Sequence, residues 1–255
     1  MTVSVRRPPR RTVSRSITLP KKVKTMVTEN LEAVRREIRA HAEKAGRNPD
    51  DVLLLAVSKT KPESDIRALY EAGQRDFGEN YVQELCEKQS HLPKDIHWHM
   101  IGHLQRNKVK YIAPFVALIH SVDSRALADT IEKEAAKAGR IIPVLIEVNV
   151  AGETTKFGVT PEEEPSLAGY IRSLSHVQLR GFMTSAPIVQ DPEENRPVFR
   201  RLRQLSVDIN RQSINNEKTD VLSMGMSDDF TVAVEEGSTC VRVGTRIFGA
   251  RDYSR

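Results

Sequence analysis

Eight short apolar segments separated by amphipathic stretches constrain this chain more than any other feature. They fall at 52–58 (VLLLAVS), 75–78 (RDFG), 97–101 (HWHMI), 116–120 (VALIH), 143–149 (PVLIEVN), 177–183 (VQLRGFM), 220–224 (DVLSM) and 239–243 (TCVRV). Helical patterns occupy 63–72, 80–90, 104–112, 124–138, 161–174 and 194–211. A further helix opens the body from Thr28, with apolar or small residues at 31, 34, 38, 42 and 45 and Gly46 as its stop. Eight strands alternating with helices in about 200–250 residues are what a (β/α)8 barrel of one domain requires. A doubly wound open sheet is the alternative, but the first crossover reads Ser58-Lys59-Thr60-Lys61-Pro62 where a glycine-rich dinucleotide fingerprint would sit.

Charge separates the body from its start. Residues 1–28 carry +8 with no acid, against +5 for the whole chain of 255 residues, so the remainder is at −3. The basic segment, broken by Pro8, Pro9 and Pro20, reads as a disordered or cleavable extension over 1–26, or as the result of a start placed ahead of Met26. A mitochondrial transit peptide is the alternative, though prolines interrupt any amphipathic helix there. No aromatics interleave the charges, which argues against a nucleic-acid arm. No apolar run is long enough to span a bilayer. Cys86 and Cys240 have no metal-knuckle spacing and read as reduced thiols of a cytoplasmic protein.

In a barrel, function belongs at the C-terminal ends of the strands. Those ends read Ser58-Lys59-Thr60, Gly78-Glu79-Asn80, Ile101-Gly102-His103, His120-Ser121-Val122-Asp123, Asn149, Met183-Thr184, Gly225-Met226-Ser227 and Gly244-Thr245. Leu53, Leu55, Val57 and Lys59 share one side of a strand by its two-residue period. A partly desolvated lysine there is a nucleophilic amine suited to Schiff-base formation; the alternative is an ordinary lysine reaching to solvent. Lys61 precedes Pro62, where the chain is leaving the strand. The segments "SMGMSDD" and "RVGTRIFG" set glycines beside hydroxyls, as an anion site between loops seven and eight would, with Asp228 expected to cap the helix after Ser227. Arg242, amid apolar neighbours, needs a partner: a carboxylate such as Glu147, or a ligand's ring nitrogen. His97 and His99 share a strand face, but with no third ligand a hydrogen-bonding role is preferred to a metal.

The segments "LLAVSKTKP", "FGENYVQE", "WHMIGHLQRNK", "VNVAGETTKFGV", "GFMT" and "LSMGMSDDFTVAVEEGSTCVRVGTRIFGAR" resemble those of the pyridoxal 5′-phosphate (PLP) homeostasis proteins, in order, from about Glu29 to Tyr253. The resemblance implies a single barrel like the N-terminal domain of alanine racemase, holding PLP as a Schiff base. By that resemblance Lys59 is the Schiff-base lysine. Met226, Ser227, Gly244 and Thr245 surround the phosphate, Arg242 faces the pyridine nitrogen, and Asn80 and Met183 lie near the ring. A PLP store or carrier without catalytic residues is implied, acting in PLP homeostasis, with PLP-requiring apo-enzymes as candidate recipients. The rival readings are a PLP-dependent amino-acid racemase and a Schiff-base aldolase. The sequence ends at Arg255, the last residue of "IFGARDYSR", so the second domain of the racemases is not expected, Tyr253 is the one tyrosine near the end, and a monomer is the default.

Overall fold

The computed structural model describes residues 21–211 and 219–250. Its strands are β1 (Leu53–Val57), β2 (Asp76–Glu79), β3 (His97–Met100), β4 (Leu118–Val122), β5 (Ile142–Glu147), β6 (Val177–Met183), β7 (Val221–Ser223) and β8 (Cys240–Val243). They pair in parallel in chain order, and β8 closes onto β1. The helices are α1 (Lys21–Lys44), α2 (Glu63–Glu71), α3 (Val82–His91), α4 (Val109–Ile112), α5 (Arg125–Lys137), α6 (Glu164–Arg172), α7 (Arg196–Arg211), α8 (Phe230–Glu235) and α9 (Thr245–Phe248). This is the (β/α)8 barrel that the alternation predicts.

Two boundaries differ from expectation. The helix α1 begins at Lys21, seven residues ahead of Thr28, inside the segment read as an extension; residues 1–20 lie outside the described residues. Strand β4 runs to Val122, two residues past the expected end at His120. His120 is therefore inside the barrel wall rather than at its rim.

Each strand divides its side chains between two cores, as period two requires. One face of β1 sends Leu54 and Ala56 outward into the large apolar layer beneath the helices, with Ile66, Leu69, Phe77 and Trp98. The other sends Leu55 inward, where it lies against Gly78 and Ile101. A separate small cluster of Leu118, Leu145 and Met183, with Val221 packed on it, fills part of the interior. Outside the barrel, α1 packs on α2, α8 and α9. It is fastened by the Glu235 carboxylate, which accepts from Lys44 at 2.7 Å, faces His41 Nδ1 at 2.8 Å and accepts from Arg196 at 2.8 Å. Hydrogen bonds from Lys44, Arg196 and His41 hold the Glu235 carboxyl down at about 2, against the opposing effect of burial.

On the outer layer, Glu164 opens α6 fully buried, and neither carboxyl oxygen has a hydrogen-bond partner. Burial pushes this group up to about 7, with Arg172 opposing and Asp208 adding to the shift. A carboxyl raised in the folded state costs stability as pH climbs from the unfolded value, about 4.3, through the folded one. Glu164→Gln removes that ionisation. The variant's gain in denaturation midpoint over the parent is predicted to be larger at pH 8 than at pH 4.5; urea melts at the two pH values check this, and an equal change at both would refute it.

Candidate functional site

All eight strands point their carboxyl ends at one mouth, and the residues singled out in the sequence gather there. Lys59 is half-buried just beyond β1, on the parity that places Leu55 inside. The turn it sits in is closed by the Lys61 N–H donating to the Ser58 carbonyl at 3.0 Å. Thr60 follows with φ +63°, a left-handed conformation rare for a β-branched residue. Lys61 points away: its ammonium donates to the carbonyls of Phe248, Gly249 and Ala250 at 3.3, 3.0 and 2.9 Å, closing the end of α9. The two lysines of the motif therefore differ in role, with Lys61 engaged as a C-terminal helix cap.

Loops seven and eight meet beside β1. The Gly244 N–H donates to Ser227 Oγ at 3.2 Å, joining the two. A Cβ on Gly244 would sit 3.3 Å from the Val57 carbonyl oxygen, so only a small residue lets this loop lie so close to the strand that carries Lys59. Loop seven turns at Gly225 with φ +92°, and a Cβ there would come 2.5 Å from that of Ala233. Ser227 is buried, Met226 half-buried and Thr245 exposed at the rim. Asp229 rather than Asp228 holds the N-cap position of α8, but its side chain caps no helix N–H; it accepts the Met226 N–H at 2.6 Å and the Asn195 amide at 2.8 Å, while Asp228 is exposed. Across the mouth Asn80 is seated by Gly102, where a Cβ would fall 2.6 Å from the Asn80 carbonyl oxygen. Met183 is buried, opposite Ser223 on the neighbouring strand.

Arg242 is buried in the interior, level with Leu55 of β1. It takes no carboxylate partner. Instead Nη1 donates to the Ser223 carbonyl and Oγ, both at 2.7 Å, and Nη2 donates to the Thr184 carbonyl at 2.8 Å. Three of the five guanidinium N–H groups are thus spent on neutral oxygens, leaving a buried positive charge without a contacting anion. Burial lowers the Arg242 pKa, partly offset by the charges of Cys240, Glu147 and Asp229; guanidinium remains protonated nonetheless. Glu147, read as a possible partner, lies within electrostatic range only, and burial raises its carboxyl to about 7 against the pull of Arg242.

Behind Arg242 runs a polar file that the sequence did not disclose. Ser223 Oγ lies 2.9 Å from His120 Nδ1, His120 Nε2 lies 2.9 Å from His99 Nδ1, and His99 Nε2 lies 3.2 Å from Asp76 Oδ1. Burial, the neighbouring His99 and Arg242 all push the His120 pKa well below its usual value, so this ring is neutral. Burial raises the Asp76 pKa, but hydrogen bonds and charge from His99 and His97 outweigh it and keep the group ionised. Asp76, an ionised carboxylate, only accepts, so the file ends on it, and the neutral His120 ring donates through one nitrogen and accepts through the other. His97 and His99 therefore serve hydrogen bonding, as preferred from sequence. Among the described residues no three His, Cys, Asp or Glu side chains could hold a metal ion together. Tyr253 lies outside the described residues.

A second set of residues missed in the sequence lies outside the barrel under Lys59. Lys88 of α3, Glu79 of β2 and Glu84 of α3 form a buried cluster there. The i,i+4 spacing of Glu84 and Lys88 is the one sequence signal that could have found it.

Residues 30–252 match the alanine racemase N-terminal domain. A pyridoxal phosphate homeostasis protein of Aquifex aeolicus is 47% identical over 226 residues, 88% of this chain and 98% of that protein. Its counterpart in Escherichia coli K12 is 40% identical over 234 residues, 90% and 98% of the two chains. The solved structure of PipY from Synechococcus elongatus PCC7942 with PLP bound is 36% identical, with a TM-score of 0.76 over 88% of this chain and all of that one. Alanine racemase of Clostridium difficile 630, at 15% identity, shares the fold, with a TM-score of 0.71 over 57% of its own length. The chain accordingly belongs to the pyridoxal phosphate homeostasis protein family, with the barrel of the alanine racemase N-terminal domain.

Proposed function

We propose that the protein binds PLP at this mouth and serves in PLP homeostasis, holding the cofactor covalently on Lys59 for storage or delivery. The observation that carries this reading is the meeting of loops seven and eight at Ser227 and Gly244, directly beside the strand that ends in Lys59. An anion cradle directly beside a half-buried lysine matches a ligand whose phosphate arm and aldehyde sit on neighbouring ring carbons. Ser227, Gly244 and Thr245, with Met226 alongside, would hold the phosphate; Asn80 and Met183 would flank the ring; Arg242 would face the pyridine nitrogen. The donor set fits, with one qualification from the geometry: the Met226 N–H is engaged by Asp229 and the Gly244 N–H by Ser227 Oγ, so the Ser227 and Thr245 hydroxyls would lead in holding the phosphate, with Gly244 leaving room for it. Bound PLP supplies an aldehyde for reversible capture and a pyridine ring that withdraws electrons when protonated.

The chain's own groups favour holding over turnover. The Lys59 nitrogen attacks the aldehyde carbon and one water leaves, with no redox change, so the link reverses by hydrolysis. Arg242 cannot accept a proton and cannot lend one, so a ring nitrogen facing it stays unprotonated and draws electrons weakly. A non-catalytic carrier is therefore proposed over a racemase, in keeping with the homeostasis names of the relatives. We place it in the cytoplasm, since Cys86 and Cys240 are both free thiols, as a monomer that passes PLP to PLP-requiring apo-enzymes. No described helix is long and apolar enough to cross a membrane.

The test is to load the purified protein with PLP, reduce with borohydride and map the adduct by peptide mass. The mass is expected on the peptide containing Lys59, and its appearance on Lys61 instead would sink the assignment. Lys59→Ala is predicted to abolish the reducible yellow colour while retaining PLP reversibly. In a racemisation assay with alanine, substantial turnover would favour the racemase reading. Separately, Ser227→Ala removes both a phosphate donor and the junction with Gly244. A loss of ~1.5 kcal/mol or more in PLP affinity is expected, about the worth of one hydrogen bond to a charged group, and equilibrium dialysis checks it.

A further inference from the structure

The covalent site contains a device for aiming its lysine. A side chain leaves Cα in a direction fixed by the two peptide units flanking it. Around Lys59 those are the Ser58–Lys59 unit, which presents the Ser58 carbonyl, and the Lys59–Thr60 unit, which presents the Thr60 N–H. Both are tied to the same buried cluster. The Lys88 ammonium donates to the Ser58 carbonyl at 2.7 Å, to Glu79 Oε1 at 2.8 Å and to Glu84 Oε1 at 2.7 Å, spending all three protons. Glu84 Oε1 in turn accepts the Thr60 N–H at 2.7 Å. Ser58 Oγ completes the ring by donating to Glu79 Oε1 at 2.6 Å.

The inner half of this clamp is buried, while Glu84, 23% exposed, carries its bond to the Thr60 N–H out to the surface. The Lys88 side chain is 6% exposed and that of Glu79 0%, so charges that would be worth little at the surface are here held tightly, and breaking one leaves the rest unpaired. The clamp also bears a load. Thr60 is held at φ +63°, and a strained β-branched residue keeps that conformation only where its surroundings over-determine it. Here the over-determination comes from Glu84 on the Thr60 N–H and from Lys88 on Glu84.

We infer that Lys88, acting with Glu84, is a positioning residue that fixes the two peptide units on either side of Lys59 and so aims the Lys59 amine at the incoming aldehyde. Neither side chain touches the cofactor. The inference rests on the PLP reading above and predicts a separation between capture and binding. Covalent capture requires the amine to reach the face of the aldehyde carbonyl, whereas phosphate and ring contacts would come from loops on β7 and β8. Loosening the clamp slows capture and spares reversible binding.

The experiment uses the full-length protein as parent, Lys88→Met and Glu84→Ala. Three readings are taken: the rate of the borohydride-reducible chromophore on adding PLP, the affinity for pyridoxine 5′-phosphate, which lacks the aldehyde, and hydrogen–deuterium exchange over residues 58–61 in cofactor-free protein. Lys88→Met is expected to slow capture by ~10-fold or more, a typical consequence of a small misplacement of a reacting group. Pyridoxine 5′-phosphate affinity should stay within about threefold, and exchange over 58–61 should rise. Capture within twofold of the parent, or equal losses in both ligands, overturns the inference. If circular dichroism shows that Lys88→Met does not fold, Glu84→Ala decides it, since that change removes the Thr60 anchor from a partly exposed residue. Slower capture with faster exchange at Thr60 supports the clamp, and parent-like behaviour in both overturns it. A parent that never forms the chromophore would refute the PLP reading instead; the exchange readings alone then decide the clamp, and no rise in either variant overturns it.

Discussion

A guanidinium buried inside the barrel without a contacting carboxylate is the constraint on which the rest of this structure turns. Barrels of this kind fill their interiors with apolar layers, and Arg242 cannot be placed among them without compensation. The compensation here is neutral: two carbonyls and one hydroxyl, from Ser223 and Thr184. That choice reaches several strands away. Ser223 Oγ accepts from Arg242 and lies against His120; His120, pressed by burial and by the positive charge, stays neutral; and the file ends on Asp76, an ionised carboxylate. Glu147 is brought within range but not into contact, and remains a carboxyl that titrates near neutrality. A full ion pair would have cancelled the charge that the mouth of the barrel presents to a ligand.

The site is built in two layers with different jobs. Inside the wall, alternate residues of β1, β7 and β8 shape the floor on which a ring would rest. Outside the wall, the intervening residues Ser58 and Glu79 join α3 in an ionic clamp that is buried at Glu79 and Lys88. The same period-two rule that sends Leu55 inward sends Ser58 outward, so the residue before the lysine becomes a handle while the lysine faces the cavity. Lys61, two residues on and the same chemical type, is drawn off by the carbonyls at the end of α9. Two lysines in one short motif are thus separated by geometry alone.

Much of this was legible in the chain. The βα alternation sets the barrel, because a parallel strand buried on both faces reads as a continuous apolar run and each crossover helix carries its own 3.6-residue stripe. Parity points to Lys59, and the glycine–hydroxyl pairs at 225–227 and 244–245 mark where loops approach closely. The interactions that join distant segments were not legible. Asp76, His99, His120 and Ser223 come from four strands, and nothing local in the sequence sets a histidine at 99 against one at 120 when both could pass for packing residues. The two-residue shift of β4 hid His120 further by placing it at an expected rim. Asp228 and Asp229 differ by one step of backbone rotation, and only the fold of Gly225–Ser227 decides which carboxylate reaches the Met226 N–H. Lys88 reads as a surface residue of an amphipathic helix until β2 is set beneath it.

Arg242 is proposed to keep the ring nitrogen of bound PLP unprotonated, so that the covalent link to Lys59 serves storage. The most direct measurement is the ¹⁵N chemical shift of ring-labelled PLP bound to the full-length protein, followed from pH 5 to pH 9. A shift that stays in the unprotonated pyridine range throughout is the predicted result. A pyridinium shift at any pH where the protein is folded and loaded would contradict it.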